Sequence, residues 1–211
     1  MTMATRVTQI PVGQMANFTY ILTDINSRES ALIDPSWELE KIFAIMKKNA
    51  WKVRYIINTH THFDHVLGNE QAASVTGAKI IQHENSTQLK DIVVKNGQVI
   101  SIGDIMLEIM HTPGHSKDSI CIVANNESVL TGDTLFVGSC GRTDLPGSDT
   151  SEMYDSLFEK IAKLDKSLIV YPGHDYGSTH TSTIGRELEH NQVLRPRSRA
   201  EFLRFMASAD D

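Results

Sequence analysis

The sequence predicts an α/β fold of two mixed β-sheets with helices on the outside. Short apolar runs rich in β-branched residues alternate with turn signals along most of the chain. Two longer stretches carry the spacing of amphipathic helices. Strand-like and helix-like stretches do not alternate one for one, so a doubly wound dinucleotide fold fits poorly.

Candidate strands in the first half lie at residues 6–11, 18–23, 31–33, 53–58 and 79–82. A second series follows at 98–100, 105–110, 119–124, 128–131 and 167–171. Between the third and fourth runs, residues 37–48 read as a helix with Leu39, Ile42, Phe43 and Ile45 on one stripe. Residues 151–164 read as another, with Met153, Leu157, Ile161 and Leu164 inward and Asp149, Thr150 and Ser151 available for capping. From about residue 182 the pattern is helical, at 184–189 and 199–206, with Pro196 between. That tail is short, so residues 1–211 are expected to form one domain with a helical C-terminal extension. There is no internal repeat and no low-complexity segment.

Composition narrows the function classes. A hydrophobic fraction of 40% and a charged fraction of 22% are ordinary for a globular protein with a sizeable core. The two cysteines, Cys121 and Cys140, suit a reducing compartment, and a cytoplasmic location is expected. The N-terminal residues MTMATRVTQIPVGQ lack the apolar segment of a secretory signal, and no run is long enough for a membrane span. The net charge is −6, with scattered basic residues, which argues against nucleic acid as a partner. The local exception, Arg195-Pro-Arg-Ser-Arg199, reads as a solvated loop or helix entry.

The strongest local signal is Thr59-His60-Thr61-His62-Phe63-Asp64-His65, directly after the apolar run Tyr55-Ile56-Ile57. A strand ending in a tight loop can bring several of these side chains into one small volume. Imidazole and carboxylate together suit zinc, and also iron or manganese. Three further strand ends carry one ligand-type residue each in a Gly-containing turn: His115 in His111-Thr-Pro-Gly-His115, Asp133 in Thr131-Gly-Asp133, and His174 in Tyr171-Pro-Gly-His174. Singly, each is more often an ordinary loop residue. Together with the first motif they describe a distributed metal site. His83, His180 and His190 have no such context and read as surface or structural residues, while His111 reads as an outer-shell or loop residue.

These residues resemble the metallo-β-lactamase superfamily over most of the chain. The family pattern HxHxDH falls on His60, His62, Asp64 and His65, and its later His, Asp and His fall on His115, Asp133 and His174. The resemblance implies an αββα sandwich with the site at the edge between the sheets. It implies one metal on His60, His62 and His115, a second on Asp64, His65 and His174, and Asp133 bridging them. Asp34, in Leu32-Ile-Asp-Pro35, resembles a family position that supports the ligand loop. The segments Gly132–Asp144 and Tyr171–Gly177 look like the glyoxalase II and persulfide dioxygenase branch, which acts on small thiol-derived compounds such as glutathione conjugates.

Two enzyme readings follow from that branch. In the first, the chain is a hydrolase of small thioesters acting through a metal-bound hydroxide, with two divalent ions, zinc first and iron or manganese as alternatives. Asp64 would orient the hydroxide and Asp133 would hold the two ions together. In the second, it is a mononuclear Fe(II) persulfide dioxygenase using His60, His115 and Asp133. Arg142 and Tyr176 are the candidate substrate-binding residues, and in the dioxygenase reading Arg142 would orient an anionic thiol substrate. The bulky Phe63 leans toward hydrolases, and Cys140-Gly-Arg-Thr-Asp144 with Asp175-Tyr176 leans toward the dioxygenase. The hydrolase is placed first. A non-catalytic metal-binding module ranks last, because all seven positions are filled. Neither cysteine is expected to be a nucleophile, and a homo-oligomer stays open.

Overall fold

The computed structural model describes residues 5–195 and 197–209; the helix break expected at Pro196 lies outside them. The first sheet takes β1 (Thr5–Val12), β2 (Asn17–Asp24), β3 (Glu29–Ile33), β4 (Lys52–Ile57), β5 (Lys79–His83) and β6 (Ile92–Val94) in that spatial order. Its first three strands pair antiparallel and the rest parallel. The second sheet contains β7 (Val99–Ile102), β8 (Ile105–His111), β9 (Ile120–Ala124), β10 (Ser128–Gly132), β13 (Ile169–Pro172) and β14 (Ser182–Thr183). There β10 and β13 run parallel and the remaining neighbours antiparallel. A small hairpin, β11 (Leu135–Phe136) with β12 (Ser139–Cys140), projects beyond β10.

Strand periodicity explains the layering, because successive side chains point to opposite faces. Phe18, Tyr20 and Leu22 of β2 point inward with Ala31, Ile33, Ile57 and Ile81, against Ile105, Leu107, Ile109, Ile120 and Ile122 of the second sheet. Ile21, Leu32 and Ile56 point the other way. They pack on Leu39, Ile42 and Met46 of α1 (Leu39–Asn49) and on Ala72, beyond the one-turn α2 (Phe63–Val66), in α3 (Asn69–Thr76). On the far side, Cys121, Val123, Val129 and Val170 meet Met153 of α4 (Thr150–Tyr154), Ile184 of α5 (Ile184–His190), and Phe202 and Met206 of α6 (Arg199–Ala209). The architecture is the αββα sandwich. Strands β2, β9 and β10 are buried along their whole length because both their faces are covered.

The helices depart from their expected form in instructive ways. α1 begins at Leu39 rather than 37, and Met46 joins its buried face while Phe43 and Ile45 are only half-buried. The Asp149 carboxylate accepts from the N–H groups of Ser151 and Glu152, as capping chemistry requires. After Tyr154 the expected regular helix widens into a π-helical turn over Asp155–Lys160 and closes as a 3₁₀ turn over Ile161–Lys163. Met153, Leu157 and Ile161 are fully buried at four-residue spacing. That spacing exceeds the roughly 3.6 residues of an α-helical turn, and the wider turn keeps all three facing the core. α3 escaped prediction because Asn69 and Ala72 are its buried residues, leaving no apolar stripe to read. Among the described residues, no helix is long and apolar enough to cross a membrane.

Parallel pairing decides where the loops gather. β3 and β4 end together, with Asp34 leaving one and Thr59 the other, and β10 and β13 end together with Gly132 opposite Pro172. The carboxyl ends of parallel strands are where open α/β sheets place their sites. Backbone hydrogen bonds join the two sheets at this end: Ile120 N–H donates to Thr59 O at 2.7 Å, and Phe18 N–H to Gly173 O at 2.8 Å.

Candidate metal centre

The HxHxDH segment holds its residues in two local conformations. His62 is extended (φ −64°, ψ 151°), so His60 and His62, two residues apart, turn to the same side. α2 then begins, and its single turn carries Asp64 and His65 toward a second point. His115 arrives from the loop after β8, Asp133 from the turn after β10, and His174 from the turn after β13. The resulting nitrogens and oxygens form three overlapping groups of three, His60–His62–His115, Asp64–His65–His174 and, between them, His60–His65–Asp133, with ligand-type atoms in each group within 4.8 Å of one another. Asp133 reaches both: its Oδ2 lies 3.5 Å from His115 Nε2 and 3.3 Å from His174 Nε2, and its Oδ1 lies 3.4 Å from His65 Nε2. All seven expected residues therefore converge on one small volume. Except for His62, which is half-buried, all are buried.

Glycine makes the convergence sterically feasible. A Cβ at Gly173 would stand 2.3 Å from Asp133 Oδ1, so the Pro-Gly-His turn passes this carboxylate only without a side chain. Gly132 takes φ +48°, and a Cβ there would meet the Thr59 hydroxyl at 2.5 Å.

Outer hydrogen bonds set the tautomers. A carbonyl oxygen only accepts, so the 2.9 Å contact from His115 Nδ1 to Arg142 O and the 2.8 Å contact from His174 Nδ1 to Met15 O place protons on both Nδ1 atoms. Their Nε2 lone pairs then face the cluster. Asp34 does the same for the first motif: its Oδ2 lies 3.0 Å from His65 Nδ1, and it also accepts from the Thr59 hydroxyl. The Thr59 hydroxyl, having donated its proton to Asp34, is left to accept from His60 Nδ1 at 3.3 Å. Imidazole nitrogens now meet at distances that lone pairs alone do not favour: His60 Nε2 and His115 Nε2 lie 3.1 and 2.9 Å from His62 Nδ1, and His65 Nε2 lies 3.2 Å from His174 Nε2. Asp133 Oδ1 is buried without a hydrogen-bond partner among the described residues. Aimed lone pairs and an orphaned carboxylate oxygen are what a bound cation satisfies, so the donor set fits divalent metal.

The electrostatics of the bare cluster point the same way. Burial raises the Asp133 carboxyl, but His65, His60 and His174 outweigh it and hold the group well below the usual carboxylate range. Burial also pushes Asp64 up, and His65 with the Asn17 amide pulls it down to about 2. Burial pushes His65 and His174 down, and neighbouring carboxylates, Asp133 above all, drive both above their ordinary range. Protons drawn onto these imidazoles supply part of the positive charge that the carboxylates demand. Away from that pull, burial first and then neighbouring histidines depress His60 and His62.

A cavity of about 630 Å³ opens over the cluster. Both candidate substrate residues line it. Tyr176 stacks on the His174 ring at 4.7 Å between centroids, and its hydroxyl donates to Met15 O at 3.3 Å. Arg142 Nε donates to Asp144 Oδ1 at 2.5 Å, and its Nη2 pairs with Asp144 Oδ2. Sequence reasoning missed Asn17, whose Nδ2 donates to Asp64 Oδ2 at 2.9 Å and to Asp64 O at 3.2 Å, and which forms an isolated bridge with His174. Its only sequence signal is a polar residue opening a buried strand. It also missed Asp118, which takes the Thr61 and Ser116 hydroxyls and so ties the loop carrying His115 to the HxHxDH segment. The other histidines stand outside the cluster, as their sequence context suggested, and only the outer-shell option for His111 falls away. His83 is buried, and His111 stacks on it at 3.9 Å and donates from Nε2 to Lys117 O instead of reaching the cluster. His180 is exposed but bound to Asp175, at 2.8 Å.

The model of the metallo-beta-lactamase superfamily matches residues 12–87 and 84–174, more than half of the chain. The chain belongs to the metallo-β-lactamase superfamily. Its relatives within that superfamily include both members of the expected branch. The mitochondrial persulfide dioxygenase ETHE1 of Homo sapiens is 34% identical over 90% of this chain and 76% of its own length. A hydroxyacylglutathione hydrolase of Polaromonas is 36% identical over 76% of this chain and 62% of its own length. A probable polyketide biosynthesis zinc-dependent hydrolase, PksB of Bacillus subtilis, is 30% identical over 90% of this chain and 86% of its own. The crystal structure of ETHE1 from Myxococcus xanthus superposes with a TM-score of 0.92 at 29% identity, covering 98% of this chain and 92% of that one. Hydrolases and a dioxygenase thus stand at similar distances within one superfamily of metal-dependent enzymes.

Proposed function

We propose that this protein hydrolyses small thioesters, using two divalent metal ions held by the seven converging residues in one domain. The observation that carries the reading is that His60–His62–His115 and Asp64–His65–His174 each bring three donors together, with Asp133 in reach of histidines of both. His60, His62 and His115 would hold one ion and Asp64, His65 and His174 the other, with zinc the expected metal. The ions supply Lewis acidity toward the substrate carbonyl and acidify water. Asp133 would offset the repulsion between them. Asn17 holds the Asp64 carboxylate in one orientation, from which it would orient a water toward the substrate. Burial and the Nδ1 hydrogen bonds keep the imidazoles from turning away. Tyr176 and Arg142, at the cavity wall, would position the substrate.

A second reading has its own support. The similarity to persulfide dioxygenases covers nearly the whole chain, and there His60, His115 and Asp133 would hold a single Fe(II), with the other four residues as hydrogen-bonding neighbours. Elemental analysis of protein purified without chelators separates the two. About two metals per chain together with thioester turnover supports the hydrolase. One iron per chain, with oxygen consumption on glutathione persulfide and no thioester turnover, overturns it.

A further inference from the structure

Resting on the thioester reading, the walls of the cavity say more about what is cleaved. Met15, Phe63, Phe136, Leu145, Pro146 and Tyr176 line it above the metal cluster. Phe63 is held edge-on to Trp37 at 6.4 Å between centroids, and Phe136 packs edge-on against both His174 and Tyr176. Aromatic rings so held give a fixed apolar surface. Among the described residues, Arg142 is the one lysine or arginine of the lining, and it makes a two-point pair with Asp144. The remaining formal charges at the cavity floor, Asp64 and Asp133, are negative and committed to the cluster.

A charged peptide thiol such as glutathione would bring carboxylates against this wall, and burying an ion without a partner is expensive. An alkyl or aryl group gains from the same surface in proportion to the area it covers. We infer that the cavity receives an uncharged, apolar acyl group of the thioester, with the carrier thiol pointing out past the rim. In the cleavage, water adds across the acyl carbon–sulfur bond: a carbon–oxygen bond forms, the carbon–sulfur bond breaks, and the products are a carboxylate, a thiol and one proton.

The test uses the metal-loaded protein and acetyl, butyryl, hexanoyl and octanoyl esters of N-acetylcysteamine, a neutral thiol, beside the acetyl and hexanoyl esters of glutathione. The expected result is a kcat/KM that climbs about fourfold per methylene until the cavity is filled, the burial value of one methylene. The neutral carrier should serve at least as well as glutathione with the same acyl group. Leu145→Glu places a charge on the wall and should flatten the chain-length series while metal content, measured on the same sample, stays at the wild-type level. A flat or falling series with the glutathione esters preferred overturns this inference and leaves thioester hydrolysis standing. Absence of turnover on every ester removes the reading beneath it as well.

Discussion

Two clusters of histidines lie where the two sheets approach each other, and only one has the makings of a metal site. In the first, five imidazoles meet mostly edge-to-face, as His60 and His62 do at 84° and His62 and His115 at 82°. Carbonyl and carboxylate groups behind them fix the outer nitrogens, so the inner lone pairs aim at shared points beside Asp64 and Asp133. In the second, His83 at the end of β5 and His111 at the end of β8 lie flat on one another, 3.9 Å apart and 12° from parallel. His83 Nδ1 accepts from Asn85 N–H and His111 Nε2 donates to Lys117 O, so these nitrogens are spent on the backbone. Among the described residues, the groups able to hold an ion all belong to the first cluster. Histidine content does not make a metal site; outer-shell hydrogen bonds that turn lone pairs onto a common carboxylate do.

Removing the shared carboxylate should break the contrast most severely. Asp133→Ala is expected to lower kcat/KM by more than the 10–100-fold typical of an outer-shell change, with loss of bound metal. Near wild-type turnover with metal still bound would sink the proposed centre. His62→Ala comes next and sharpens the choice between reactions. With two ions it removes a ligand, and metal per chain should drop; with a single iron held by His60, His115 and Asp133, iron content should survive while turnover falls.

Asn17→Ala should cost roughly 10- to 100-fold in metal affinity or activity, because it frees the Asp64 carboxylate without touching a donor. Titrating metal back into the variant would restore activity if positioning is the defect. The smallest effect belongs to the stacked pair. Burial, and then His111, push His83 from its ordinary 6.5 down to about 4. The unfolded chain therefore binds more protons than the folded one across that interval, so stability falls as pH drops from about 6.5 to about 4 and levels off below. His83→Gln should remove that part of the slope in a melting series over pH and leave metal content unchanged. A slope identical to wild type would mean that His83 is not the group responsible.

Much of the site was legible because its residues cluster in sequence or sit at strand ends marked by Gly. His60, His62, Asp64 and His65 lie within six residues, and His115, Asp133 and His174 each follow an apolar run. Asp34 was legible only through the family resemblance. Asn17 and Asp118 were not, because a single Asn or Asp at the edge of a strand or loop carries no local signature of what it faces 47 or 57 residues away. The fold followed the same division. Strands with both faces buried read as plain apolar runs and were found, whereas α3, β6 and β14 are too short or too weakly patterned to stand out.

By itself, the sequence determined two mixed sheets with helices outside and the identity of the candidate donors, because hydrophobic periodicity and residue chemistry are local properties, whereas the αββα layering came with the family resemblance. Which nitrogen of each imidazole faces inward and which carboxylate oxygen is left without a partner were decided only by the tertiary structure. Those properties depend on backbone carbonyls and side chains brought together across two sheets, and no local pattern in the chain records such encounters.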